Sequence, residues 1–140
     1  MKKIFIYSST DGQTQKICEV LKGKNKESII VSLDNINVNN LNNFDHVILG
    51  ASVRYGDHHK KLYEFVINNK SLLESKKTAF FSVNATARKF NKNSPSTNPY
   101  IIKFLRKTKW TPDVMTVFAG KIDYLNYDFF DKYIIKLIMW

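Results

Sequence analysis

The strongest constraint in this chain is a set of short apolar runs without alternation. KIFIY (residues 3–7) and HVILGAS (46–52) place no polar residue at every second position, so neither can lie half in water. Each fits a strand covered on both faces, the usual state of a parallel sheet. SIIVSL (28–33), TAFFSVN (78–84) and VMTVFAG (114–120) read as three further strands. Between them, residues 13–22 carry Ile17, Val20 and Leu21 at helical spacing, and 60–69 repeat Leu62, Phe65 and Val66. A helix is expected over about 99–108, and YDFFDKYIIKLIMW (127–140) reads as an apolar-rich one. The Asn-rich stretch 35–43 reads as loop. This order predicts an α/β sheet built from βαβ crossovers, and a chain of 140 residues suits one such domain over 1–140.

In an open parallel sheet, ligands bind beyond the carboxyl ends of the strands. Three loops leave those ends: 8–14, 51–58 and 83–98. The first, SSTDGQT, offers the hydroxyls of Ser8, Ser9, Thr10 and Thr14, a flexible Gly12 and the amino end of the next helix. Those are the parts of an anion site, and also of a Ser/Thr-rich turn with a helix cap. It has neither the Gly-Lys-Ser/Thr of a Walker loop nor Gly-x-Gly-x-x-Gly. Asp11, directly before Gly12, is turn chemistry, with its carboxylate expected to face away from any anion. In the second loop, Gly50, Ala51 and Ser52 are small enough for a flat ligand to approach; Arg54 can meet an anion and Tyr55 can stack on a ring, or both belong to a solvated loop. His58 and His59 are adjacent, a poor spacing for two ligands of one metal. In the third, Ser82 and Asn84 can hydrogen-bond a heterocycle edge. The basic segment 88–99 is long for a βα connection: it is either solvated or a contact for carboxylates or lipid phosphates.

Twenty-two Lys and Arg against twelve Asp and Glu give a net charge of +10, which favours anionic partners. Cys18 is the single cysteine, so no internal disulfide forms; it lies among apolar helix positions and reads as a buried small hydrophobe. Lys2 and Lys3 precede only four apolar residues, too few for a secretory leader, and no apolar run spans a bilayer; the expected compartment is the cytoplasm. No Ser/His/Asp set, carboxylate pair or metal cluster stands out. A chain with a phosphate nest and a flat slot but no reactive group of its own implies that a cofactor carries the chemistry. Flavin mononucleotide (FMN) fits. A response-regulator domain would need an Asp at the end of the third strand, where Gly-Ala-Ser stands.

YSSTDGQT (7–14), VILGASVRYG (47–56), FFSVNATARK (80–89), KWTPD (109–113) and YIIKLIM (133–139) resemble, in register, the menaquinone-dependent protoporphyrinogen oxidases. The resemblance implies a flavodoxin-like three-layer sandwich with a five-stranded parallel sheet in order 2-1-3-4-5. It implies FMN phosphate on Ser9, Thr10, Asp11, Gly12, Gln13 and Thr14. Ser52, Val53, Arg54, Tyr55 and Gly56 would flank the ribityl chain and ring, together with Phe80, Ser82, Val83 and Asn84. The implied reaction takes six electrons from protoporphyrinogen IX in three steps and passes them to menaquinone or ubiquinone. It would occur at the cytoplasmic face of the cell membrane through peripheral contact, with no metal and no nucleic acid partner. An electron carrier or an inactive relative would share the FMN site. Tyr55 and His59 are placed as proton acceptors by location alone. Three features depart from the family: Thr10 stands where Arg is common, KIDYLNYD (121–128) lacks the usual arginines, and the sequence stops at Trp140 before the last helix. The missing helix predicts an exposed apolar sheet face. The segment 129–140 fits either an interfacial helix or one docked on the sheet.

Overall fold

A computed structural model of the chain describes residues 2–8, 12–23, 28–84 and 90–118. Strand β1 (Lys3–Ser8) leads to helix α1 (Gln13–Gly23), then β2 (Ser28–Ser32), two short 3-10 turns (Leu33–Asn35 and Val38–Asn43) and β3 (His46–Arg54). A two-residue strand, β4 (Asp57–His58), precedes helices α2 (Lys60–Asn68) and α3 (Lys70–Glu74). Strand β5 (Lys77–Val83), helix α4 (Pro99–Thr108) and β6 (Val114–Phe118) complete the described fold. Five strands are parallel, in order β2-β1-β3-β5-β6, which is the expected 2-1-3-4-5 topology. The sixth, β4, pairs antiparallel with the end of β3 and was not expected.

The unalternated runs are buried on both sides. Ile4 and Ile6 of β1, Val47, Leu49 and Ala51 of β3, and Phe80 of β5 face one cluster with Leu62, Phe65 and Val66 of α2 and with Ile101 and Phe104 of α4. Phe5, Ile48, Ala79, Phe81, Val83 and Phe118 face the other, with Ile17 and Cys18 of α1. This is the period-two division of a strand between two helical layers. Apolar surface was expected to lie exposed on the second face; Phe5, Ile48, Ala79, Phe81, Val83 and Phe118 are at most 3% exposed there, while Tyr7, Ile30 and Val114 on the same side are half-buried. Burial also holds the Cys18 thiol neutral, as suits a packing residue. The helix expected over 127–140 lies outside the described residues.

Local chemistry sets the element ends. Asn98 caps α4 by accepting the N–H groups of Tyr100 (3.2 Å) and Ile101 (3.4 Å), and Pro99 follows at the first helical position. Helix α2 stops where the Asn69 side-chain amide donates to the Phe65 carbonyl (2.8 Å), dividing the expected 60–69 helix from α3. The KWTPD motif is structural. Lys109 ends α4 in the left-handed conformation (φ 56), and Trp110 is buried edge-on to Phe80. Asp113 holds β6 to β5 by accepting from Thr78 N–H and returning its own N–H, both at 2.9 Å.

Gly50 has a packing role that its sequence context does not reveal. It pairs with Phe81 in register, and the Phe81 ring lies where a side chain at position 50 would begin. The space expected for a flat ligand is therefore filled from within. Gly50→Ala is predicted to destabilise the fold by roughly 1–3 kcal/mol through overpacking. Adding Phe81→Leu should recover part of that loss in urea denaturation; equal stability of Gly50→Ala and the parent would remove this role.

Candidate functional site

Strand register brings the three loops together. Ser8 lies opposite Ala51, Ala51 opposite Ser82, Ser52 opposite Val83, and Val83 opposite Phe118. The carboxyl ends of four strands thus share one edge, and the loops after β1, β3 and β5 all start there.

At the first loop, Ser9, Thr10 and Asp11 lie outside the described residues, while Gly12, Gln13 and Thr14 are placed. Gly12 takes φ 84, a conformation that favours glycine, and its carbonyl accepts the Lys16 N–H (3.1 Å) to start α1. Gln13 is the first residue of α1. Thr14 is fully buried, and its hydroxyl finds no hydrogen-bond partner among the described residues. A buried unpaired hydroxyl costs about 1–3 kcal/mol. Beside the positive dipole end of α1, it suits an anion that accepts its hydrogen bond.

The second loop is a hairpin. Arg54 and Asp57 close it in register, and the two residues between them, Tyr55 (φ 56) and Gly56 (φ 80), are both left-handed. This is the geometry of a two-residue type I′ turn, in which Gly56 is favoured and Tyr55 is not; a left-handed non-glycine residue costs about 1–2 kcal/mol. Tyr55 is nevertheless 92% exposed; the neighbouring Arg54 guanidinium lies over its ring at 5.1 Å and donates to its hydroxyl at 3.4 Å. Burial therefore gives no account of its presence. Ser52 and Val53 are half-buried on β3, with Val53 paired to His58.

The residues chosen on β5 and just after it point inward. Phe80 is buried and stacks on Phe104 with ring centroids 4.7 Å apart. Val83 packs in the α1-side cluster. Ser82 and Asn84 are buried and spend their polar groups within the protein. Ser82 Oγ lies 2.8 Å from His58 Nε2 and accepts from Asn84 Nδ2 (3.0 Å). Asn84 and Asn98 exchange amide hydrogen bonds in both directions, at 3.2 and 2.9 Å.

His58, Asp57, Tyr63, Lys103 and Asn98 were not sequence candidates for a site, although Asn98-Pro99 is a recognisable helix-start signal. The Asp57 carboxylate accepts the Tyr63 hydroxyl, the His58 N–H (2.8 Å) and Lys103 Nζ (2.9 Å). Burial opposes its ionisation, but these hydrogen bonds outweigh it and hold the carboxyl below the usual range. His59 uses Nδ1 to cap α2, accepting the Lys61 N–H at 3.0 Å. A polar cleft beside it, of about 110 Å³, is lined by Tyr7, Ser8, Ser32, Leu33 and Asp34 together with His59 and Lys61. Among the described residues no three His, Cys, Asp or Glu side chains form a metal cluster, and no helix is long and apolar enough to cross a membrane.

Residues 4–140 match the flavodoxin domain family. The protoporphyrinogen IX dehydrogenase (quinone) of Escherichia coli is 41% identical over 144 residues, covering 99% of this chain and 79% of that protein. The chain belongs to this flavodoxin-fold family of quinone-linked protoporphyrinogen IX dehydrogenases. A relative of the same name from Leishmania major is 38% identical over 99% of the chain and 62% of its own length. Among solved structures, oxidised flavodoxin 1 from Bacillus cereus superposes with a TM-score of 0.68 at 17% identity, covering 99% of this chain and 98% of that one. That likeness is one of fold.

Within this dehydrogenase family member, His58 is a buried histidine held neutral by its surroundings. Burial drives its pKa from 6.5 down to about 4, with Asp57 opposing and Lys103 assisting. The folded protein thus binds this proton less readily than the unfolded chain does. The neutral imidazole's contribution is complete above pH 6.5 and is lost as pH falls toward 4. From pH 7 to pH 5 this amounts to roughly 2 kcal/mol. Urea unfolding at the two values should show that loss in the parent and a smaller one in His58→Gln. An equal loss in both would assign the pH sensitivity elsewhere.

Proposed function

We propose that this protein is an FMN enzyme that oxidises protoporphyrinogen IX to protoporphyrin IX and passes the electrons to a membrane quinone. The observation that carries the reading is the near-full-length similarity to the Escherichia coli dehydrogenase. The site supports it independently: the unpaired Thr14 hydroxyl lies on the first turn of α1, at the edge where the three loops meet.

On this reading, Gly12, the first amides of α1 from Gln13 on and the Thr14 hydroxyl receive the FMN phosphate together with Ser9, Thr10 and the backbone of Asp11, whose carboxylate faces away. The hairpin at Ser52–Gly56 forms one wall of the ring slot. The exposed Tyr55 ring supplies a stacking face there, and ligand contact repays its left-handed backbone. Segment 90–98 forms the other wall. Bound FMN would supply the chemistry, accepting two electrons at a time from the substrate and releasing them to the quinone. His58 is neutral at pH 7 and bonded to Ser82, so it acts as a support and not as an acid. A net charge of +10 suits a substrate bearing carboxylates and an anionic leaflet, consistent with peripheral attachment at the cytoplasmic face.

The test is anaerobic incubation of the FMN-loaded protein with protoporphyrinogen IX and a menaquinone analogue. Porphyrin fluorescence should grow only when flavin and quinone are both present. FMN uptake without porphyrin formation would leave an electron carrier in place of an oxidase.

A further inference from the structure

A buried polar chain joins the two walls of the loop edge. His58 lies on the short strand β4 that closes the hairpin after β3. Its Nε2 meets Ser82 Oγ, Ser82 meets Asn84, and Asn84 and Asn98 hold each other by reciprocal amide bonds. All four side chains are at most 4% exposed. Asn98 also donates to the Lys92 carbonyl (3.0 Å) while its oxygen caps α4. One side chain therefore fixes a helix start, the turn at 90–92 and the end of β5.

This arrangement is costly unless something depends on it. A buried polar network contributes favourably only when its members are satisfied together, and an apolar set of equal volume would fill the same space. Helix capping alone needs only the Asn98 oxygen, which aspartate would also provide. The two Asn98 amide hydrogens have a different use: they fasten the 84–98 connection to β5 and, through Ser82, to the hairpin.

We propose that Asn98, Asn84, Ser82 and His58 are positioning residues that couple the Ser52–His58 hairpin to segment 90–98 and so set the width of the flavin slot. The proposal rests on the functional reading given above. It reassigns the polar groups of Ser82 and Asn84 from contacting the ring to holding the segments that do.

Two variants separate coupling from folding. Asn98→Asp keeps the cap of α4 but loses both amide donors. Ser82→Ala removes the bridge to His58 with minimal change in volume. In the apoprotein, amide hydrogen exchange should accelerate at least about tenfold in both variants, in residues 53–58 and 90–98 together, with β1 and the centre of β3 unaffected. With FMN, each variant should raise Kd about tenfold or more and shift the visible flavin spectrum. The double variant should be no worse than the more affected single, because both lesions cut one chain. Exchange confined to one segment, FMN affinity within twofold of the parent, or strictly additive losses in the double variant would overturn the proposal. A parent protein that takes up no FMN overturns the functional reading; the exchange result then still decides whether the two walls are coupled.

Discussion

A sheet covered on both faces must satisfy its backbone within the ladder, and the rest of this structure follows from that constraint. Strand β3 is its axis, paired from His46 to Ala51 with β1 and from His46 to Ser52 with β5. Side chains alternate between two apolar clusters, and the centres of β1, β3 and β5 carry no polar side chain, whereas β6 buries Thr116 at its middle. Chemistry is therefore confined to where strands stop. The register puts those stops in line, so segments far apart in sequence arrive at one edge without any contact between them being required.

At that edge, the structure divides between groups that are spent and groups that are not. Ser82, Asn84, Asn98 and Asp57, with His58 through its Nε2 and its N–H, bond to one another or to nearby backbone, and this fixes the shape of the walls; His58 Nδ1 has no partner among the described residues. The Thr14 hydroxyl and the exposed Tyr55 ring have no comparable internal use. Polar groups that a fold leaves unpaired at high cost, beside a helix amino end, indicate ligand chemistry better than polarity alone does. On the functional reading, the first set builds the slot and the second meets the cofactor.

The five parallel strands and helices α1, α2 and α4 were legible because burial on two faces suppresses alternation and burial on one face imposes helical spacing; the two-residue β4 and the short α3 were not. The strand order was legible through the family resemblance. The role of Gly50 was not, because the residue that demands a glycine, Phe81, is a cross-strand neighbour on β5. The hairpin after β3 was hidden for a different reason: Tyr-Gly is not the usual sequence of a type I′ turn, and the backbone there goes against local preference. Ser82 looked available at a strand end, but it shares a face with Phe80, and that parity turns it toward α4 and His58. Its indirect partner Asn98 lies beyond a connection whose length was conspicuous but whose anchor was not.

On the functional reading, the α1 edge is built for a phosphate and the ring slot is secondary to it. Titrating the apoprotein with FMN and with riboflavin, which has the same ring system without the phosphate, tests this directly by flavin fluorescence. Charge-assisted hydrogen bonds to phosphate predict that FMN binds at least about a hundredfold more tightly. Equal affinities would contradict the account, placing the binding energy in the ring walls and leaving the Thr14 hydroxyl without a ligand.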